Sequence, residues 1–155
     1  MGSCKLIIKP LRAHDVDKTI IVMEYYRDEA RLPDGEYDTD AMTETIRDYV
    51  ISPQHAWFNA YDGDRIVGLV AGLLAPIPWS TRNMAHIQFL YMLPSHRNLV
   101  NGKQLVKTFE DWARDLGAVK ISAGDIGIDT ERTRAFYQQA GFADTGCWLC
   151  KEFTE

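Results

Sequence analysis

Along the chain the spacing of apolar residues changes rhythm several times, and each change marks an element. "KLIIKPL" (residues 5–11) reads as a strand stopped at Pro10. "HDVDKTIIVMEYYRDEA" (14–30) places Val16, Ile20 and Met23 on one helical face, with Asp15 and Asp17 in the first turn where acids suit the dipole. Pro33 and Gly35 break the pattern, and "TDAMTETIRDYVI" (39–51) resumes as a second helix before Pro53. "AWFNAY", the turn Asp62–Asp64 and "RIVGLVAGLL" then form a hairpin signature, and "MAHIQFLYML" (84–93) adds a third strand ended by Pro94.

The second half alternates more regularly. Leu105, Val106, Phe109, Trp112, Ala113 and Leu116 recur at helical spacing from Lys103 to about Leu116, with a stop at Gly117. "VKISAGD" reads as a strand, "TERTRAFYQQA" as a helix closed by Gly141, and "TGCWLCKEF" as a final strand. Helices alternate with strands in this half alone. A mixed sheet with helices on both faces therefore fits better than a wholly parallel one. No repeat or linker divides the chain, so one domain over residues 1–155 is expected.

Charge narrows the function classes. The formal net charge is −5 and 25% of residues are charged, which argues against a nucleic-acid binder built on clustered Lys and Arg. No apolar stretch approaches the roughly 20 residues of a membrane span. The opening "MGSCKLIIKPLRAHD" has neither a secretory pattern nor, with Leu6 at the sixth position, a myristoylation signal, so a cytoplasmic chain is expected. Cys4, Cys147 and Cys150 form no complete disulfide framework. "CWLC" sits in a strand-like run where residues three apart face opposite sides, so two packed thiols are expected in preference to a redox pair or, with scattered histidines, a metal site.

The candidate chemistry centres on "MLPSHRNLVNGKQL" (92–105), a strand end, a polar loop and a helix start. Helix N-termini present unpaired N–H groups and partial positive charge, so this stretch is a candidate phosphate cradle. The bland alternative is a polar turn capping an amphipathic helix. Together with "IIKPLRAHDVDKT" and "DTERTRAFYQQAGF", it resembles the GNAT superfamily of acetyl-CoA-dependent N-acetyltransferases over nearly the whole chain. The family signature is Gln or Arg, two residues, Gly, one residue, then Gly or Ala. Here Arg97 takes the first position and Gly102 the last, while Val100 replaces the first glycine and requires ordinary backbone angles.

The resemblance implies an α/β fold with a mixed, mostly antiparallel sheet of about six to seven strands, and acetyl-CoA as co-substrate without a metal. It implies main-chain contacts from Tyr91 and Met92 to the pantetheine arm, amides from Asn98, Leu99, Val100, Asn101, Gly102 and Lys103 around the diphosphate, and added charge from Arg97 and Lys103. Tyr137 matches the frequent general acid, with Phe136 beside it on another part of the helix as a candidate cofactor contact. His86, with Gln88 expected on the same face, stands near the usual base, and Glu24 and Asp125 are alternatives. Thr130 either bonds the cofactor or caps its helix. The acceptor is an amine of a small molecule or a protein. Between residues 24 and 48 nine acids face three arginines, which suits a cationic acceptor, although a solvated helical face explains the same charges. Neither nucleic acid nor membrane is implied, and a homodimer is left open. A CoA-binding or protein-interaction module without catalysis is the alternative.

Overall fold

The fold is known from a computed structural model that describes residues 5–33, 35–124, 129–146 and 149–153. They form two compact units, 1–123 and 124–155. The first contains β1 (Ile7–Pro10), α1 (Val16–Ala30), α2 (Thr39–Ile51), β2 (His55–Asp62), β3 (Arg65–Pro76), β4 (Asn83–Met92), α3 (Leu99–Asp115) and β5 (Ile121–Ala123). Short 3-10 turns at Ala13–Asp15 and Pro94–His96 precede α1 and α3.

The strands lie in sequence order, β1-β2-β3-β4-β5. The first four pair antiparallel, and β5 joins β4 in parallel. β3 is central, and its apolar run is buried from Ile66 to Gly72, as expected of a strand covered on both faces. Residues of one parity on β2 face α1 and α2: the Trp57 ring meets Tyr49 of α2 edge-on, and the Asn59 amide donates to Thr19 of α1. The other parity faces α3, whose Phe109 ring lies against Gly72.

Asn59 ties β2 to α1. Its Oδ1 accepts from Trp57 Nε1 at 3.0 Å, its Nδ2 donates to Thr19 Oγ1 at 3.0 Å, and the Thr19 hydroxyl donates to the Asp15 carbonyl at 2.8 Å. Asn59 and Thr19 are fully buried. Two residues on, the Tyr61 hydroxyl donates to the Asp15 carboxylate at 2.6 Å. Alternate residues of one strand thus fasten the start of α1.

β4 is irregular at one point. Ala71 pairs with Phe89 but Gly72 with Ile87, so Gln88 is an extra residue, a bulge. The expected alternation therefore resets: Phe89, not Gln88, joins His86 on the α1 and α2 side. A Cβ at Gly72 would lie 2.0 Å from the His86 carbonyl oxygen and 2.7 Å from Phe109.

In the second unit, α4 (Thr130–Gln139) is capped by Asp129, whose carboxylate accepts from the Arg132 amide. The cap is thus the residue before Thr130, an Asp with extended φ of −141°. The final strand is a correction. Among the described residues of "TGCWLCKEF" none is in a strand, and Leu149 and Phe153 are 91% and 92% exposed. Apolar content alone does not make a strand without a neighbour to take its hydrogen bonds, so the described sheet has five strands in place of six or seven. Cys150 is an exposed free thiol in place of a packed one. Cys4, Cys147 and Asp125 lie outside the described residues.

Two glycine substitutions separate packing from backbone strain. Gly72→Ala should cost about 3 kcal/mol through displacement of β4 or Phe109. Gly63→Ala, at φ +60° with open space around it, should cost about 1 kcal/mol. Urea-unfolding midpoints will check the order, and equal losses would contradict the close contact at Gly72.

Candidate functional site

The parallel ladder between β4 and β5 covers Ala85, His86 and Ile87 and, among the described residues, ends at the bulge. From Gln88 to Met92 the edge of β4 away from β3 continues without a β5 partner. Beyond it, Pro94–His96 forms a 3-10 turn and α3 begins at Leu99. The helix starts four residues earlier than Lys103, because Asn98 is an N-cap: its side chain accepts from the Asn101 amide at 2.8 Å, and its carbonyl accepts from the Gly102 amide at 3.1 Å. An Asn ahead of a helical run was the available signal, and Gly102 obscured it.

This cap sorts the amides of the cradle. Those of Asn101 and Gly102 bond to Asn98, and that of Lys103 lies inside the helix. The amides of Leu99 and Val100 belong to the first turn, where no intrahelical acceptor exists, and the cap does not use them. Val100 is 73% exposed and has no positive φ; among the described residues Arg31 is the non-glycine that does. A branched side chain is therefore compatible with this backbone. Lys103 is exposed one turn into α3.

The loop is held from several sides. Asn101 Nδ2 donates to the His96 carbonyl at 2.7 Å, and His96 Nε2 lies 2.7 Å from Asp62 at the β2–β3 turn. The Leu93 amide donates to the Val67 carbonyl. Arg97 points back into the protein. Its Nη1 and Nη2 donate to the two Glu29 carboxylate oxygens at 2.7 and 2.9 Å, while Nη2 and Nε donate to the Met92 carbonyl at 2.7 and 3.1 Å. The Tyr91 hydroxyl donates to Glu29 at 2.8 Å. Burial, then the bond to Glu29, raises the Tyr91 pKa far above that of an ordinary phenol. Glu29 was one acid among nine in its region, and nothing in sequence spacing singled it out.

His86 is half-buried on β4, with Nδ1 2.7 Å from Ser122 Oγ on β5, its partner in register. Burial lowers its pKa. Tyr137, Phe136 and Thr130 belong to the second unit. There the Tyr137 ring packs against Phe136 at 5.3 Å and Phe142 at 5.1 Å, and the Tyr137 carbonyl accepts from the Phe142 amide. Among the described residues no group of three or more His, Cys, Asp or Glu could hold a metal, and no helix is long and apolar enough to cross a membrane.

Comparison with known proteins gives a consistent result. The model of the acetyltransferase (GNAT) family matches residues 21–142. The chain is 31% identical over 65 residues to an aminoglycoside N(6')-acetyltransferase type 1 of Acinetobacter genomosp. 13, a stretch covering 42% of this chain and 44% of that enzyme. It thus spans less than half the length of that relative. The fold resembles aminoglycoside N-acetyltransferase AAC(6')-Iy in complex with CoA, with TM-score 0.81, 14% identity and coverage of 98% of this chain and 97% of that one. It also resembles glucosamine-6-phosphate N-acetyltransferase from Arabidopsis thaliana, with TM-score 0.75, 17% identity and coverage of 97% and 99%.

The depressed pKa of His86 has a consequence for stability. As pH falls, the unfolded chain takes up the imidazole proton first, so neutral His86 contributes in full above about pH 6.5. That contribution is lost as pH drops from there through the lower folded value. His86→Gln should flatten the urea-unfolding free energy over this window. An unchanged slope would mean that the folded imidazole titrates normally.

Proposed function

The chain belongs to the acetyltransferase (GNAT) family, and on that premise we propose that it moves an acetyl group from acetyl-CoA to a primary amine by direct attack in a ternary complex. The single observation that carries the proposal is a bulged strand whose edge, among the described residues, outlasts its partner and leads into a helix with two amides that have no described acceptor. An extended pantetheine arm needs a row of backbone donors and acceptors, and a diphosphate needs clustered amides. The edge from Gln88 to Met92 supplies the first, and Leu99 and Val100, with Lys103 nearby in sequence, supply the second. These residues fit the group.

The chemistry assigned to the chain's own residues is modest. Amine attack requires removal of the ammonium proton, and an imidazole kept neutral near pH 7 by burial can accept it; we assign this to His86. Ser122 at Nδ1 orients the ring. A backbone N–H of the open β4 edge would stabilise the developing oxyanion. We assign the proton for the departing thiolate to Tyr137, by its place in the late motif, since a phenol of pKa about 10 is matched to a thiol leaving group. On this reading one acetyltransferase domain spans both units.

For the acceptor we favour a small polyamine-like or aminoglycoside-like compound over a protein amine. The acids between residues 24 and 48 would attract such a polycation, and the relative named above acts on aminoglycosides. Tyr137→Phe should lower kcat by on the order of a hundredfold while leaving acetyl-CoA affinity nearly intact. Thiol release over an aminoglycoside and polyamine panel, with calorimetry for binding, checks both. Binding without thiol release from any amine would favour the non-catalytic alternative, and no binding at millimolar acetyl-CoA would remove the proposal.

A further inference from the structure

Glu29 stands in the last turn of α1, where an acid opposes the helix dipole. Its place is therefore explained by what it reaches outside the helix. Both of its oxygens take the Arg97 fork, and one also takes the Tyr91 hydroxyl. Arg97 is the signature residue of the cradle, and its guanidinium simultaneously grips the Met92 carbonyl at the end of β4. The ring of Tyr91 lies under that guanidinium, 5.6 Å from ring centre to Cζ.

We infer that Glu29 is a positioning residue for the cofactor cradle, and that Arg97 serves diphosphate binding through this clamp, by geometry, with its charge taken up by Glu29. Three anchors, one on α1 and two at the end of β4, fix the loop from Leu93 to Asn98 and hence where the Leu99 and Val100 amides present themselves. A planar five-donor fork bridges a carboxylate and a carbonyl at once, which an ammonium cannot do in the same geometry. The inference rests on the acetyl-CoA reading given above.

The two roles for Arg97 predict opposite signs. If the guanidinium gripped the diphosphate directly, releasing it from Glu29 would tighten binding. If Glu29 positions the loop, Glu29→Gln weakens acetyl-CoA binding by on the order of tenfold, with kcat at saturation nearly unchanged. Arg97→Lys, which keeps the charge and loses the fork, should then bind as weakly as Arg97→Gln. Tyr91→Phe removes one bond to Glu29 and leaves the ion pair, so it should give a smaller loss and remain measurable if Glu29→Gln folds poorly. Calorimetric titration of acetyl-CoA into each variant reads the affinities, and thiol release at saturating acetyl-CoA reads kcat. Tighter or equal binding by Glu29→Gln, or recovery of affinity by Arg97→Lys over Arg97→Gln, overturns the inference alone. Failure of the unaltered chain to bind acetyl-CoA overturns it together with the enzymatic reading.

Discussion

Residue 72 has no room for a side chain, and much of the candidate site follows from that. With hydrogen alone at this position, the His86 carbonyl and the Phe109 ring close in on the β3 backbone from two directions. The close approach sits where β4 accommodates its extra residue, Gln88. Among the described residues the bulge divides β4 into a part that pairs with β5 and a part that does not, and the second part runs into the turn before α3. A pairing continuous to Met92 would leave no open edge ahead of α3.

The polar contacts that orient this region begin far from it. Trp57, Asn59 and Tyr61 fasten the first turn of α1 to β2, and α1 then crosses the sheet until its last turn brings Glu29 to Arg97 and Tyr91. Each buried donor in the Asn59 chain has an acceptor, so the chain holds α1 at one angle where apolar packing alone would tolerate several. On the other face, Phe109 and Leu105 of α3 are fully buried. The loop before α3 thus joins two helices, one placed by hydrogen bonds and the other by packing.

Most of the fold was legible because it is written in periodicity. The hairpin at Asp62–Asp64, the apolar β3 and the face of α3 all appear where their spacing predicts. The reset of β4 at Gln88 was not legible, since "AHIQF" alternates straight through that residue and the extra position shows only in the pairing with β3. Glu29 was invisible for a related reason: an acid in an acidic helix gains its role from residues 91 and 97, which lie 62 and 68 positions away in the chain. The signature position of Arg97 was legible, but the direction of its side chain was not. "TGCWLCKEF" shows the converse error, where strand-like composition suggested pairing that its described residues do not make.

The sheet is knit in sequence order, but its seams close loops of very different length. Two residues separate β2 from β3, whereas two helices separate β1 from β2 and the whole of α3 lies between β4 and β5. Chain entropy favours the short closure, and among the described residues the β4–β5 ladder has three pairs, against four for β1–β2 and eight for β2–β3. The β4–β5 ladder is the shortest of the described sheet, so β5 is tied to its neighbour by the fewest residue pairs. Local opening costs least where the fewest pairs must break, which sets β5 apart from the meander of β2, β3 and β4.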